Sequence, residues 1–264
     1  MYNMKDIWAI IRAVIIKSVG RLSAGISLSL EHGLTSGAML EYVYDNRSQG
    51  RFILGKMIDR LFLNCPDWQA IRIRKDNVKN HIQQALVESK SPARLVDIAA
   101  GFARYIQEAL SPATASSTEI VLMDTEHSYI ASVKDAFLRM GSRVRYENKS
   151  ALDESFLQSL RPATVVVAAG FYDWIIDDGI VQRSINLVRD ILSSGGIFIL
   201  TGQSKTADLN LMRHAFVDFN HAPMVMKTRS AHIMSQWLTA SGFKVQCCDS
   251  DQRGYYHTIK AVKL

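Results

Sequence analysis

The sequence predicts an α/β chain, a parallel sheet covered on both faces by helices and preceded by a helical segment. Three observations carry that reading. The run Leu95-Val96-Asp97-Ile98-Ala99-Ala100-Gly101 is strand-like, meets an acid, and opens through small residues into a helical pattern. A second apolar run, Ile120-Val121-Leu122-Met123, ends in Asp124, 27 positions after Asp97. Further apolar runs then alternate with helical patterns, the order that builds a parallel sheet from strand–helix–strand units.

Taken in order, the first strand stops in a turn that leaves backbone N–H groups and a helix N-terminus facing a crevice. Doubly wound sheets hold nucleotide-like ligands there. Residues 111–118, rich in Ser, Thr, Ala and Pro, read as a soft loop into the second strand. Asp124 at that strand's tip can accept hydrogen bonds from both ribose hydroxyls, so the two acids together predict an adenosyl pocket. The turn Glu147-Asn148-Lys149-Ser150 closes a third strand. Thr164-Val165-Val166-Val167-Ala168-Ala169 reads as a buried strand ending in the tip Gly170-Phe171-Tyr172-Asp173-Trp174. An amphipathic helix over 181–192, a turn at 193–196 and a strand over 197–203 follow. Two more strands fall at 244–248 and 257–262.

The glycines narrow the ligand. The dinucleotide pattern G-x-G-x-x-G would fall on Ala99, Gly101 and Arg104, so two of its three glycines are missing. Those glycines admit a pyrophosphate and let the helix pack on the strand, and Arg104 crowds the second of these contacts. A ligand without a pyrophosphate needs less room, and S-adenosylmethionine (SAM) is one. An ordinary strand–helix turn of an unrelated α/β protein is the competing reading.

The acid–small–small–Gly turn, with an acid closing the second strand, resembles the class I SAM-dependent methyltransferases. In that fold Gly195-Gly196 is the turn before strand five and Ser241-Gly242-Phe243 the entry to strand six. Strand seven is inserted antiparallel. The resemblance therefore implies a Rossmann-like seven-stranded sheet with an N-terminal helical extension or lid. It narrows on Asp97-Ile98-Ala99-Ala100-Gly101 with Arg104-Tyr105, Gly170-Phe171-Tyr172-Asp173, Thr201-Gly202-Gln203 and Met224-Val225-Met226-Lys227-Thr228-Arg229. Ahead of the core, Ser36-Gly37, Tyr42-Val43-Tyr44-Asp45-Asn46-Arg47 and Gly50-Arg51 also match. Together these are similar to a bacterial methyltransferase family sometimes found fused to α/β-hydrolase domains, over residues 33 to the C-terminus.

That resemblance implies SAM as cofactor and S-adenosylhomocysteine as product. Asp97, Ala99, Gly101, Tyr105, Asp124, Thr125, Asn148, Gly170 and Phe171 then surround the cofactor. Two departures stand out. Lys149 occupies the place where an acid often meets adenine, which leaves Asn148 or Ser150 for that contact. Ser204-Lys205-Thr206 follows Gln203 where the family tends to show Pro, Trp and His, which points to a different acceptor.

Methyl transfer from a sulfonium needs orientation and exclusion of water, and a base only when the acceptor arrives protonated. Asp173 and then Tyr172 are the candidates for that base, with a helix-start acid as the plain alternative for Asp173. By analogy with lid helices, Tyr42 and Tyr44, beside Asn46 and Arg51, fall on the acceptor side. Gln203 and Arg229 complete the acceptor candidates. The strand-four tip lacks the Asp/Asn-Pro-Pro-aromatic pattern of enzymes that methylate nucleic-acid amino groups. A small-molecule or lipid-like acceptor is therefore favoured over RNA, with a non-catalytic SAM-fold binder as the other alternative.

At 264 residues and 48% hydrophobic content, the chain is long enough for one large core with an accessory segment. The division expected is a helical segment at 1–92 and a SAM-binding domain at 93–264. The net charge of +6 is uneven: residues 1–92 hold 13 Lys/Arg against 8 Asp/Glu, and residues 93–264 hold 18 against 17. Basic character thus belongs to the N-terminal segment. Cys65, Cys247 and Cys248 have no zinc spacing and no disulfide framework, and adjacent strand residues point to opposite faces. No metal is expected from them, nor from His214, His221 and His232, and reduced thiols fit a cytoplasmic protein.

Residues 5–22 have helical periodicity, with Ile7, Trp8, Ile11, Val14, Ile15, Val19 and Leu22 on one face. Arg12 and Lys17 break any run long enough to span a membrane or serve as a signal peptide. Two readings stay open. One is a helix packed on the core or on a homodimer partner. The other is an interfacial helix on an anionic membrane, which would place the protein at the periphery of the inner membrane. Helices are also predicted at 39–44, 52–63 and 78–87.

Overall fold

The computed structural model describes residues 4–89, 92–206, 208–218 and 220–264. Residues 1–3 of the expected helical segment, and 90 and 91 near its end, lie outside the described residues. The chain opens with helices α1 (Met4–Lys17), α2 (Ala24–His32), α3 (Gly37–Asp45), α4 (Phe52–Leu63) and α5 (Pro66–Glu88). Strand β1 (Ala93–Asp97), α6 (Arg104–Ala109), α7 (Pro112–Ser117), β2 (Thr118–Asp124), α8 (Ile130–Arg139) and β3 (Arg143–Asn148) follow. Next come α9 (Glu154–Ser159), β4 (Ala163–Ala168), α10 (Asp178–Ile191) and β5 (Leu192–Gln203). Helices α11 (Leu209–Ala215) and α12 (Ala231–Ala240) lead to β6 (Phe243–Ser250) and β7 (Tyr256–Lys263). These elements form two compact units. One comprises Met1–Arg72 with Thr206–Met226, the other Ile73–Lys205 with Lys227–Leu264.

The larger unit is built on a seven-stranded sheet of order β3-β2-β1-β4-β5-β7-β6. β1 to β5 run parallel, and β7 enters antiparallel between β5 and β6. Register aligns Val96 with Val121 and Val166, and Val166 with Phe198. These four side chains share one face with Leu157, Ile185 and Leu238 of α9, α10 and α12. Leu95, Ile120, Val165 and Ile197 line the other face with Ile82, Ile106 and Phe137 of α5, α6 and α8. Burial on both faces is why these strands read as continuous apolar runs. Each fully buried Val or Phe contributes about 1.5–3 kcal/mol.

Three details differ from the pattern expected of the sequence. Residues 112–117 form α7 rather than a loop, because Ser111 and Thr114 make a reciprocal capping box with Pro112 in the first turn. β5 already begins at Leu192, paired with Ala163 ahead of a register shift, while Gly195 turns through φ 71°. α5 is 23 residues long rather than ten, started by Pro66 and Asp67. Its polar, cation-rich first half hides the helix from a periodicity count.

The smaller unit is organised differently. Helix α1 turns its small residues Ala9 and Ala13 inward. Arg12 donates to Asp208 at 2.7 Å, and Asn210 just inside α11 donates to Asp6 at 3.0 Å. The stripe Ile7, Trp8, Ile11, Val14, Ile15 and Val19 is exposed, so it is not the packing face of this helix within its unit. In α4 the buried positions are Gly55, Asp59 and Leu63. The Asp59 carboxylate accepts hydrogen bonds from Ser23 Oγ at 2.5 Å, Gly25 N–H at 2.8 Å, Gln49 N–H at 2.9 Å and the Tyr42 hydroxyl. Among the described residues no helix is long and apolar enough to cross a membrane.

Candidate functional site

The carboxyl ends of β3, β2, β1 and β4 lie side by side in the larger unit, the edge at which such sheets bind ligands. After β1 the chain pairs both ways: Ile98 N–H donates to Val167 O at 3.1 Å and Ala100 N–H to Met123 O at 3.0 Å. Gly101 then takes φ 50°, a left-handed conformation natural to glycine, and a Cβ there would meet nothing within 4 Å. The space above this turn is open. Asp124 binds the turn from β2, with Oδ2 accepting the Gly101 N–H at 2.8 Å and Oδ1 the Glu126 N–H at 2.9 Å. Each oxygen keeps a second lone pair for a further donor.

Asp97 is fully buried and accepts from the Tyr105 hydroxyl at 2.7 Å and the Ala99 N–H at 3.3 Å. Burial, reinforced by the charge of Asp124, pushes its carboxyl up to about 7 despite those bonds. Burial also raises Asp124. The rings of Phe102 and Tyr129 stack with centroids 4.3 Å apart beside the Gly101 turn. Thr125 and Asn148 are exposed at the next two strand ends. With its amide nitrogen facing them, Asn148 lies 3.2 Å and 3.1 Å from the carbonyls of Asp124 and Thr125. Lys149 pairs with Asp153 at 3.5 Å. Asp97, Ala99, Gly101, Tyr105, Asp124, Thr125 and Asn148 thus fall on the ends of three adjacent strands and the turns that follow them.

The β4 tip is tied to its neighbours through both backbone and side chains. Gly170, at φ 72°, donates its N–H to Thr201 Oγ1 at 2.8 Å, and Phe171 packs against Tyr172 at 5.2 Å. Tyr172 is buried rather than at a rim, with its hydroxyl 3.2 Å from Ser184 Oγ in α10. Burial raises its pKa above the ordinary tyrosine range. Arg229 is buried too. It donates to Asp178 at 2.9 Å, to Tyr172 O at 2.8 Å and to Ile175 O at 2.6 Å. Its guanidinium clamps the β4 tip. Tyr42 belongs to the smaller unit, where its hydroxyl donates to Asp59 and accepts the Gln49 N–H at 3.2 Å. It braces the turn into α4. Tyr44 lies half-buried on α3 in that same unit.

Asp173 is buried, and its Oδ1 accepts the Gln203 N–H at 2.7 Å, tying the β4 tip to the end of β5. Burial pushes its carboxyl up to about 6, while the charges of Arg74 and Arg229 hold it down. Gln203 is buried as well. Its Nε2 donates to Lys205 O at 3.2 Å, and its Oε1 has no partner among the described residues.

Two residues that sequence reasoning passed over belong to this cluster. Arg74 of α5 lies over the Tyr256 ring at 5.0 Å, and a Cβ on Gly170 would come within 3.2 Å of its guanidinium. It sits in the half of α5 that the periodicity did not reveal. His257 is buried, with Nδ1 3.1 Å from Ser204 Oγ, and burial lowers it to about 4, so the imidazole is neutral. A Cβ on Gly202 would approach its Nε2 at 2.5 Å, which explains that glycine.

Elsewhere, His81, Cys247 and Asp249 place potential metal ligands within 4.8 Å of one another. No sequence spacing revealed this group, because α5 and β6 supply it. His81 turns Nε2 to Asp249 at 2.8 Å and Nδ1 to Cys247 at 4.0 Å, a chain of side chains more than a formed cage. A shallow concavity lined by Thr118, Glu119, Arg143 and Arg161 lies at the strands' amino ends, away from the crevice where such sheets bind ligands.

Comparison with known proteins agrees with this fold. Magnesium protoporphyrin IX methyltransferase of Synechocystis PCC 6803, solved with bound S-adenosylhomocysteine, superposes with a TM-score of 0.56 at 11% identity. The match covers 97% of this chain and 99% of that one. A Bordetella parapertussis structure, titled a possible exported protein, matches with a TM-score of 0.71 at 15% identity, over 96% of this chain and 86% of its own. These likenesses show the fold, the Rossmann-like class I methyltransferase sheet. The model of the family described as "Putative methyltransferase" matches residues 2–263, and the chain belongs to that family. YnbC of Escherichia coli strain K12, named as uncharacterized, is 31% identical over 255 residues. That alignment takes in 94% of this chain and 43% of YnbC, so the chain spans less than half the length of this relative.

Proposed function

We propose that the chain binds SAM at the ends of β1, β2 and β4 and directs its methyl group to a small-molecule or lipid-like acceptor, with residues 93–264 as the cofactor-binding domain. The single observation that carries this reading is the pair of acids, buried Asp97 and half-buried Asp124, around the open Gly101 turn. Bound SAM would supply a methyl group already activated by a sulfonium. Asp124 has the free lone pairs to accept both ribose hydroxyls. Asp97, set by Tyr105, offers negative charge to an ammonium once ionised. Asn148 supplies a polar edge at the β3 end, and Gly170 and Phe171 form the wall at β4. Asp173, held by the Gln203 N–H and flanked by Arg74 and Arg229, acts as a positioning residue for the β4 and β5 ends.

A second reading, SAM binding without turnover, is favoured by one observation. Tyr172 and Asp173 are buried, so neither presents an open side-chain base at the β4 tip. An acceptor that needs no proton removed reconciles this with catalysis. The outward stripe of α1 supports a peripheral position on an anionic membrane through residues 5–22, and hence a lipid-like acceptor.

The test is S-adenosylhomocysteine release from purified protein supplied with SAM and fractionated small-molecule and lipid extracts. Release that depends on one fraction and falls in Asp124→Ala supports transfer. SAM binding with no release from any fraction supports the binder. Absence of SAM binding overturns both.

A further inference from the structure

The smaller unit carries two helices whose apolar and polar sides are exchanged relative to ordinary packing. Of the 19 large hydrophobic side chains exposed among the described residues, 12 fall between Met4 and Leu61. That stretch is about a fifth of the chain, so the exposure is concentrated and not the scattered kind normal for a soluble surface. In α1 the buried residues are Ala9 and Ala13, while Trp8, Val14 and Ile15 are more than half exposed. In α4 the exchange is stronger. Gly55 and Asp59 face inward, and Phe52, Ile53, Leu54, Met57 and Leu61 face out at 56–82% exposure.

This orientation is held in place. Four donors converge on the Asp59 carboxylate and fix which side of α4 is inside. Arg51 N–H donates to Leu22 O at 2.8 Å, and a Cβ on Gly55 would come within 2.4 Å of that same carbonyl. Gly50 and Gly55 meet just as closely, since a Cβ on Gly50 would lie 2.1 Å from the Gly55 backbone. These contacts join the start of α4 to the short 3-10 helix Val19–Leu22 that continues α1. Phe52, at φ 56°, accepts a left-handed backbone that bulky residues avoid, and it is the most exposed aromatic among the described residues of the unit. Of the three buried positions of α4, only Leu63 at its last residue is a large apolar side chain.

Charge says what covers the face. Within residues 4–61 eight Lys or Arg are exposed, among them Lys5, Lys17, Arg21, Arg51, Lys56 and Arg60, against two exposed acids, Glu31 and Asp45. Exposed apolar side chains in a stretch rich in exposed cations match an anionic lipid headgroup layer over its acyl boundary. We propose that α1 and α4 together form a preformed docking surface for an anionic phospholipid bilayer, with α4 as its second anchor. This rests on the reading of residues 5–22 as membrane-facing, and it adds a helix to which nothing in that reading assigns a role.

The test is co-sedimentation of the full chain with vesicles of phosphatidylcholine, alone or mixed with phosphatidylglycerol. Wild type should bind the mixed vesicles, less so at high salt, and bind phosphatidylcholine alone far more weakly. Ile53→Ser with Met57→Ser should lower the partition coefficient at least about tenfold, as should Trp8→Ser with Ile11→Ser. Lys56→Glu with Arg60→Glu should remove the preference for phosphatidylglycerol. All positions are exposed, and an unchanged melting temperature and unchanged SAM binding in each variant exclude misfolding. Binding lost in the α1 variant but kept in the α4 variant overturns the two-helix surface and leaves the α1 reading intact. No binding by wild type overturns both. A wild-type dimer in sedimentation velocity that dissociates in the α4 variant would show that a second copy covers the face, which also overturns the proposal.

Discussion

The two units solve opposite problems with the same residue types. In the sheet unit Val, Ile and Phe are buried on both faces, and the acids Asp97 and Asp124 stand at strand ends. In the helical unit a carboxylate sits inside, satisfied by four donors, while Ile, Met, Phe and Trp stand outside. The hydrophobic effect explains the first arrangement outright. The second is stable because a buried charge with its hydrogen bonds complete fixes helix orientation, as α4 shows. The lesson is that apolar sequence marks a surface to be covered, and only the structure tells whether the chain or something else covers it.

The comparison breaks first at the sheet core. Phe198→Ala removes a ring that is fully buried against Phe243, and should cost about 3–5 kcal/mol in denaturant unfolding. In the helical unit, Asp59→Ala strands donors rather than opening an apolar cavity, and should cost about 2–3 kcal/mol. A loss below about 0.5 kcal/mol would show that Asp59 does not hold α4 in place.

The β1 end should respond to pH. Asp97, pushed up to about 7 by burial, binds more protons folded than unfolded between the ordinary carboxylate range and neutrality. Its contribution makes the ligand-free protein less stable as pH rises from about 4 to about 7, and flat in this respect above. SAM affinity should move the other way and rise through the same upper window, because an ammonium favours ionised Asp97. Asp97→Asn should flatten both trends, read by thermal melts and calorimetry. The smallest effect belongs to the outward face. Ile53→Ser should shift stability by no more than about 0.5 kcal/mol, whereas a core isoleucine such as Ile185 would not tolerate that change.

How far these features could be read in advance follows from what each depends on. The acids at 97 and 124 and the glycine at 101 act through strand ends and backbone conformation, which local sequence dictates, and the seven-stranded order followed from the resemblance. The burial of Tyr172 and Arg229 was not legible because the direction of a side chain leaving a strand tip is set by the helix beside it, here α10 with Ser184 and Asp178. Arg74 and His257 were invisible because only tertiary packing brings α5 and β7 to the β4 and β5 ends. The stripe on α1 was legible as a stripe, but not its direction. Ala9 and Ala13, too small to weigh in a hydropathy pattern, decide it by allowing close approach.

The central claim is that the paired acids around the Gly101 turn make a SAM site. Isothermal calorimetry with SAM, S-adenosylhomocysteine and NAD, on wild type and Asp124→Ala, tests it most directly. The account predicts binding of both sulfur ligands, none of NAD, and a loss of about 1–3 kcal/mol in Asp124→Ala, the scale of a hydrogen bond to a charged acceptor. Unchanged SAM affinity in that variant, or a wild type that prefers NAD, would contradict it.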